Sequence, residues 1–139
     1  MIEITTAVLN ALQEFKDNKL NFVIVQINIP YKRYEVKHCG GLDSTFNDFV
    51  QQLPYGDISE CCFGLVRVEM CNILVVWQPE TAKIKDKMYL ASSKDSFKKL
   101  IPHMCHCEIA ATDPCEIQLE DVMCKVISHY EYLGKARLR

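Results

Sequence analysis

Three observations predict an α/β chain built on a mixed sheet with helices on both faces. Apolar runs of strand length cluster in the middle of the sequence. Segments with helical spacing precede, interrupt and follow them. The first run, Leu20–Ile29, is nearly continuous in apolar residues, as a central strand covered on both sides must be. The 139 residues suit a single domain, 1–139, large enough to hold a core without staples.

The elements are taken in order. Ile4, Val8, Leu9, Leu12 and Phe15 have helical spacing, and Thr5 or Thr6 can cap that helix. The Leu20–Ile29 strand turns at Pro30-Tyr31-Lys32 into a partly exposed strand over Tyr34–Lys37, and Gly40-Gly41 breaks the chain. Asp43 or Ser44 is the expected cap of a helix running through Leu53, with Phe46, Phe49, Val50 and Leu53 on one face and Pro54 as its stop. Cys61–Val68 and Ile73–Trp77 read as two strands joined by a tight hairpin around Met70–Asn72. Met104–Ala110 alternates as a strand, and Asp113-Pro114 turns the chain. A final helix then runs from Gln118 or Leu119 to about Leu133, with Leu119, Val122, Val126 and Tyr130 inward.

The most informative stretch is Trp77–Ile101, WQPETAKIKDKMYLASSKDSFKKLI. Pro79 ends the strand, Thr81 can cap the next helix, and Ala82–Ala91 is rich in helix formers. Ser92-Ser93-Lys94-Asp95 offers a second cap, so a break or bend is expected near Ser92. Six lysines (Lys83, Lys85, Lys87, Lys94, Lys98, Lys99) face three acids (Glu80, Asp86, Asp95), a local basic excess in a chain of net charge −2. Such a face suits an acidic partner. At 100° per residue Ile84, Met88 and Ala91 share one side, while Ala82, Tyr89 and Leu90 lie opposite. Periodicity alone favours Ile84 and Met88 as core, with lysines snorkelling beside them; the alternative is a partner-binding side.

Other chemistries are weakly supported. Apolar content of 49% and charged content of 24% are ordinary for a globular protein. No apolar run approaches the roughly 20 residues of a membrane helix, and no basic segment precedes an apolar one at the start, so a cytosolic location is expected. The eight cysteines (39, 61, 62, 71, 105, 107, 115 and 124) lie mostly within apolar runs, where a thiol packs as a small hydrophobe, and are expected to be reduced and structural. His103, Cys105, His106 and Cys107 are potential metal ligands. However, a strand sends Cys105 and Cys107 to one face and His106 to the other, and no second pair has suitable spacing, so no metal is expected. Phosphate-cradling and dinucleotide glycine patterns are absent, no local signature marks a nucleophile, and no cofactor is implied. The chain reads as a non-enzyme. A net acidic chain lacks the broad basic surface that nucleic acid requires, and membrane phosphoinositides suit the lysine cluster better.

WQPETAKIKDKM followed by ASSKD closely resembles the signature of the actin-depolymerising factor/cofilin family. The resemblance extends in register from about Ile4 to Val126 through FNDFVQQLP at Phe46–Pro54 and EIAATDPCEI at Glu108–Ile117. It implies a five-stranded mixed sheet sandwiched between helices, and a protein that binds actin monomers and promotes filament depolymerisation. It places actin contacts on Lys85, Lys87, Met88, Asp95, Lys98 and Lys99, with Met88 as an apolar plug and the lysines steering. It also implies phosphoinositide binding by Lys83, Lys85, Lys87, Lys98 and Lys99 in competition with actin.

Four departures from the family pattern bear on function. No serine stands before Ser44, so control by phosphorylation of an N-terminal serine is not expected. The hairpin after Val68 is short, and the family's basic filament-contact pair would fall near Glu69 and Cys71. The last helix keeps Lys125 but has Cys124 and Ser128 nearby, and Tyr89-Leu90 reverses the family's order. Filament binding and severing are therefore expected to be weakened, with Lys125 and the basic tail (Lys135, Arg137, Arg139) as remaining filament contacts. Two alternatives stay open: a module acting on branched-filament machinery rather than actin, and a small cysteine-dependent enzyme.

Overall fold

The structure, a computed structural model, describes residues 2–56 and 60–137, the last three as backbone only. Six strands form one sheet in the order β1-β3-β2-β4-β5-β6. They are β1 (Glu3–Ile4), β2 (Phe22–Asn28), β3 (Arg33–Gly40), β4 (Cys62–Val68), β5 (Cys71–Trp77) and β6 (Cys107–Ala111). Four helices accompany them: α1 (Thr6–Lys16), α2 (Phe46–Gln52), α3 (Ile84–Lys98) and α4 (Leu119–Arg137). The central pairings β3/β2/β4/β5 are antiparallel, and the outer two, β1/β3 and β5/β6, are parallel. Parallel neighbours need a crossover, and α3 lies within the one that joins β5 to β6.

The strand count corrects the expected five. The sixth strand is β1, two exposed residues too short to show a period, and it takes Ile4 out of the expected first helix. That helix begins at Thr6 because Thr5, one of its two expected caps, caps it: Thr5 Oγ1 accepts the Val8 N–H at 3.4 Å and donates to the Tyr34 carbonyl at 2.9 Å.

Strand alternation divides the core into two layers. On one face Val8, Leu12 and Phe15 of α1 and Leu90 and Phe97 of α3 pack over Val23, Val25, Phe63, Leu65 and Leu74. Phe63 and Phe97 stack with ring centroids 4.4 Å apart. On the other face Phe49 of α2, Leu53 just after it, and Val122 and Val126 of α4 cover Ile24, Val66, Ile73, Val75 and Trp77. The expected sandwich, with helices on both faces, is what forms. No described helix is long and apolar enough to cross a membrane.

Several local expectations change. The α2 cap is Thr45, not Asp43 or Ser44: Thr45 and Asp48 form a reciprocal capping box, which satisfies two free amides where either upstream residue would satisfy one. Strand β3 runs three residues past the expected Lys37 and ends at Gly40, which pairs with Phe22, so it stops at the glycine pair. Leu119 is 50% exposed rather than inward, since it opens α4 beyond the sheet. Tyr130 is also largely exposed, although its hydroxyl donates to the Glu69 carbonyl at 2.6 Å. Helix α3 does not break at Ser92. Both serine hydroxyls bond back to the Tyr89 carbonyl, Ser92 at 2.9 Å and Ser93 at 2.8 Å, so neither acts as a new cap.

Arg67 joins α1 to the sheet. Its guanidinium lies 4.3 Å over the Phe15 ring and donates to the carbonyls of Phe15 (2.6 Å) and Leu20 (2.7 Å), a cation placed at a helix C-terminus. The β4–β5 hairpin closes through Glu69 and Met70, with φ of 50° and 64°. Two consecutive left-handed residues make the primed type of two-residue turn, here without the usual asparagine or glycine. The eight cysteines are free thiols; Cys61, Cys62 and Cys71 are buried, and Cys39, Cys115 and Cys124 are exposed.

Candidate functional site

The loop ahead of α3 is pinned at several points. Trp77, the last residue of β5, is wholly buried and its Nε1 donates to the Pro54 carbonyl at 2.7 Å. Gln78 Nε2 donates to the Lys87 carbonyl and Lys87 Nζ to the Glu80 carbonyl, both at 2.8 Å. Ala82 is buried against the core. Lys83, not Thr81, is the N-cap residue, and it supplies no side-chain bond.

With Leu90, Ser93 and Phe97 turned inward, helical phase turns Ile84, Met88, Asp95 and Lys99 outward. Ile84 is 75% exposed and Met88 68%. The core reading of this stripe is therefore wrong: the opposite side, with Leu90, meets the sheet. Large exposed apolar groups in a row on a helix are the informative exception on a protein surface. Ile84, Lys85, Met88, Tyr89 and Ser92 line a shallow depression along the helix. A larger groove of about 570 Å³ separates the start of α3 from β2 and β3, with Lys83, Lys85 and Asp86 on one wall and Lys37 and Glu60 on the other. Across that wall Lys37 pairs with Glu60 at 3.6 Å, and Gln26 also donates to Glu60.

The predicted basic positions have different surroundings. Lys85 is exposed and has no hydrogen bond or ion pair among the described residues. Lys87 is half-buried by its tie to Glu80. Lys98 reaches Glu108 of β6 at 3.4 Å, beside Lys94 at 3.0 Å. Burial pushes the Glu108 carboxyl up, but the Lys94 hydrogen bond and the charges of Lys98 and Lys94 outweigh it and hold it below its ordinary value. Asp95 and Lys99 are exposed on the outward stripe. Sequence reasoning missed the Glu108 clamp, because a residue ten positions away on a strand has no helical phase to reveal it.

The proposed filament contacts are not gathered with these. Lys125 is exposed on α4, which covers the opposite sheet face from α3. The side chains of Lys135 and Arg137, and all of Arg139, lie outside the described residues. Glu69 is exposed at the turn but acidic, and Cys71 is fully buried, so no basic pair reaches out from these two positions of the hairpin.

A mixed sheet that seats one helix by its apolar inner side leaves the other side, apolar along its centre and basic on its flanks, open to solvent. The chain belongs to the cofilin/tropomyosin-type actin-binding protein family, which it matches over residues 1–127. It is similar to actin-depolymerizing factor 2 of Arabidopsis thaliana, 35% identical over 108 residues that cover 73% of this chain and 78% of that protein. It is also similar to actophorin of Acanthamoeba castellanii, 34% identical over 124 residues that cover 81% and 88%. The crystal structure of Streptomyces griseoflavus cofilin superposes with a TM-score of 0.79 at 26% identity, covering 90% of this chain and 96% of that one.

Proposed function

We propose that this chain, as one domain, binds actin monomers through α3, favouring ADP-actin, and promotes filament depolymerisation and turnover in the actin cytoskeleton as a non-enzymatic factor. One observation carries the reading: Ile84 and Met88 stand in solvent between Lys85 and Lys87 on a helix whose other side is locked in the core. An exposed apolar anchor supplies affinity once a partner excludes water, and the flanking lysines speed and orient the encounter with an acidic surface. Asp95, Lys98 and Lys99 extend the same contact by about two to three turns. A two-residue turn with Glu69 at its tip offers little to a second actin, which supports weaker filament binding and severing.

A second reading has its own support. Lys83 and Lys85 border the groove at the start of α3, and with Lys87, Lys98 and Lys99 they would attract a phosphoinositide head group to part of the actin face. On this reading lipid and actin compete.

Binding to ADP-actin and ATP-actin monomers should be measured for the native chain and for Lys85→Ala/Lys87→Ala, with filament co-sedimentation alongside. Tight monomer binding that the double variant loses supports the proposal. No binding to either actin form rejects it and points to phosphoinositides or branched-filament machinery.

A further inference from the structure

Outside the α3 face, the fold draws together chemistry that the sequence keeps far apart. Cys71 opens β5, His106 immediately precedes β6, and His129 lies on α4. One ligand atom from each, the Cys71 sulfur and a nitrogen of each imidazole, lies within 4.8 Å of the others. The two imidazoles stack with centroids 4.8 Å apart and planes 21° from parallel. A second thiol adjoins Cys71 alone: Cys107 Sγ is 3.7 Å from Cys71 Sγ and lies outside the three-atom group, so it would have to be drawn in.

We propose that Cys71, His106 and His129, with Cys107 as a fourth ligand, form a binding site for a zinc-like divalent ion. The donor set is the two-thiolate, two-imidazole combination that such ions favour. Two zinc–sulfur bonds of about 2.3 Å at a tetrahedral angle set their sulfurs about 3.8 Å apart, close to the observed pair. A point equidistant from three atoms at the full 4.8 Å separation is about 2.8 Å from each, so the ligands must close by about 0.5–0.8 Å to reach zinc bonding distances, and the stacked imidazoles must turn so that both ring lone pairs meet the ion. The ligands able to make that adjustment are the histidines. His106 is exposed and His129 is half-exposed on a helix surface, whereas Cys71 is held in the core.

One bond must be exchanged. The Asn72 N–H donates to His106 Nδ1 at 2.8 Å. The bond lies at an exposed edge, so the ring can turn that nitrogen to the ion and leave the Asn72 amide to water. Cys71 and Cys107 would release their thiol protons to solvent as they bind. The loaded site would join the start of β5, the approach to β6 and α4 into one cross-link, beside the bond that Tyr130 already makes to the hairpin. The site stands apart from the α3 face and does not depend on which protein that helix binds.

The test is a titration of the full, reduced chain with Co²⁺ followed by Zn²⁺. One Co²⁺ per chain should bind with the intense visible bands of tetrahedral coordination and a thiolate-to-cobalt charge-transfer band, and Zn²⁺ should displace it. His129→Ala and His106→Ala should each weaken binding about tenfold or more, while Cys124→Ser should leave it unchanged. Cys71→Ser should remove charge-transfer intensity; if that core variant fails to fold, the two histidine variants carry the test. The pale spectrum of octahedral cobalt, no band at all, or affinity unchanged in both histidine variants would overturn the site.

Discussion

The Glu108 carboxylate on β6 holds Lys94 of α3 at 3.0 Å, and its other oxygen takes Lys98 at 3.4 Å. One acid thus ties the second half of α3 to the strand that succeeds it in the chain. It also partly neutralises a lysine proposed to meet actin, which leaves Lys85 and Lys99 as the freer charges of that face.

The clamp gives a pH dependence of known sign. The Glu108 carboxyl sits below its ordinary value near 4.5 in the folded chain. A depressed folded value adds stability above the unfolded value and loses it as pH falls through the folded one. Glu108→Gln should therefore lower stability at neutral pH by less than about 1 kcal/mol, as befits a partly exposed pair. The difference should shrink as pH falls below the ordinary carboxylate value and vanish once pH is below the depressed folded value. Urea denaturation of both proteins across this range checks it; a gap that persists in acid would show that packing, not charge, is at stake.

Met88 and Leu90 are two residues apart and should behave oppositely. Met88→Ala removes a solvent-exposed side chain and should leave stability within about 0.5 kcal/mol, while actin-monomer affinity falls about tenfold or more. Leu90→Ala opens a cavity under α3 and should cost about 2–5 kcal/mol. Thermal melts and monomer-binding isotherms on the pair separate the two roles.

Gly64 in β4 faces the Phe49 ring of α2. A Cβ there would come within 2.6 Å of Phe49 Cζ and 2.7 Å of Cε1. Gly64→Ala should destabilise by about 1–3 kcal/mol, because a buried ring must move to admit it. Chemical denaturation gives the number, and a neutral result would mean that α2 shifts freely on the sheet.

The hairpin turn should be improvable. Glu69→Asn/Met70→Gly replaces two residues held at positive φ with the pair that suits them, and should raise stability by about 1–2 kcal/mol. Filament co-sedimentation should stay weak in both proteins if the turn makes no filament contact. A clear fall in the variant would show that exposed Met70 is itself a contact.

The parts of this fold that the sequence made legible are those written in periodicity. Phe22–Val25 is an unbroken apolar run because β2 is covered on both sides there, and the Phe49 and Val126 helices show their faces. Trp77–Ile101 carried the dense signature of the family to which the chain belongs. The features that stayed hidden depend on partners far along the chain. Met88 and Leu90 belong to equally apolar sides of one helix, and only the sheet decides which is buried. Ser92 and Ser93 look like a cap until their hydroxyls are seen bonding backward. Thr45 prevails over Asp43 and Ser44 because Asp48 answers it. Cys71, His106 and His129 have no shared spacing, so their convergence is invisible before β5, β6 and α4 are placed.

Because α3 is threaded between two hydrogen-bonded parallel neighbours, it is not a detachable arm. Swinging it outward would strip Phe97 from Phe63 and pull β6 from β5. A partner therefore meets a surface already set in shape, and the encounter need not supply the entropy of ordering a helix. Amide protons along Leu90–Phe97 should accordingly exchange with solvent only as slowly as those of the central strands, with or without a partner bound.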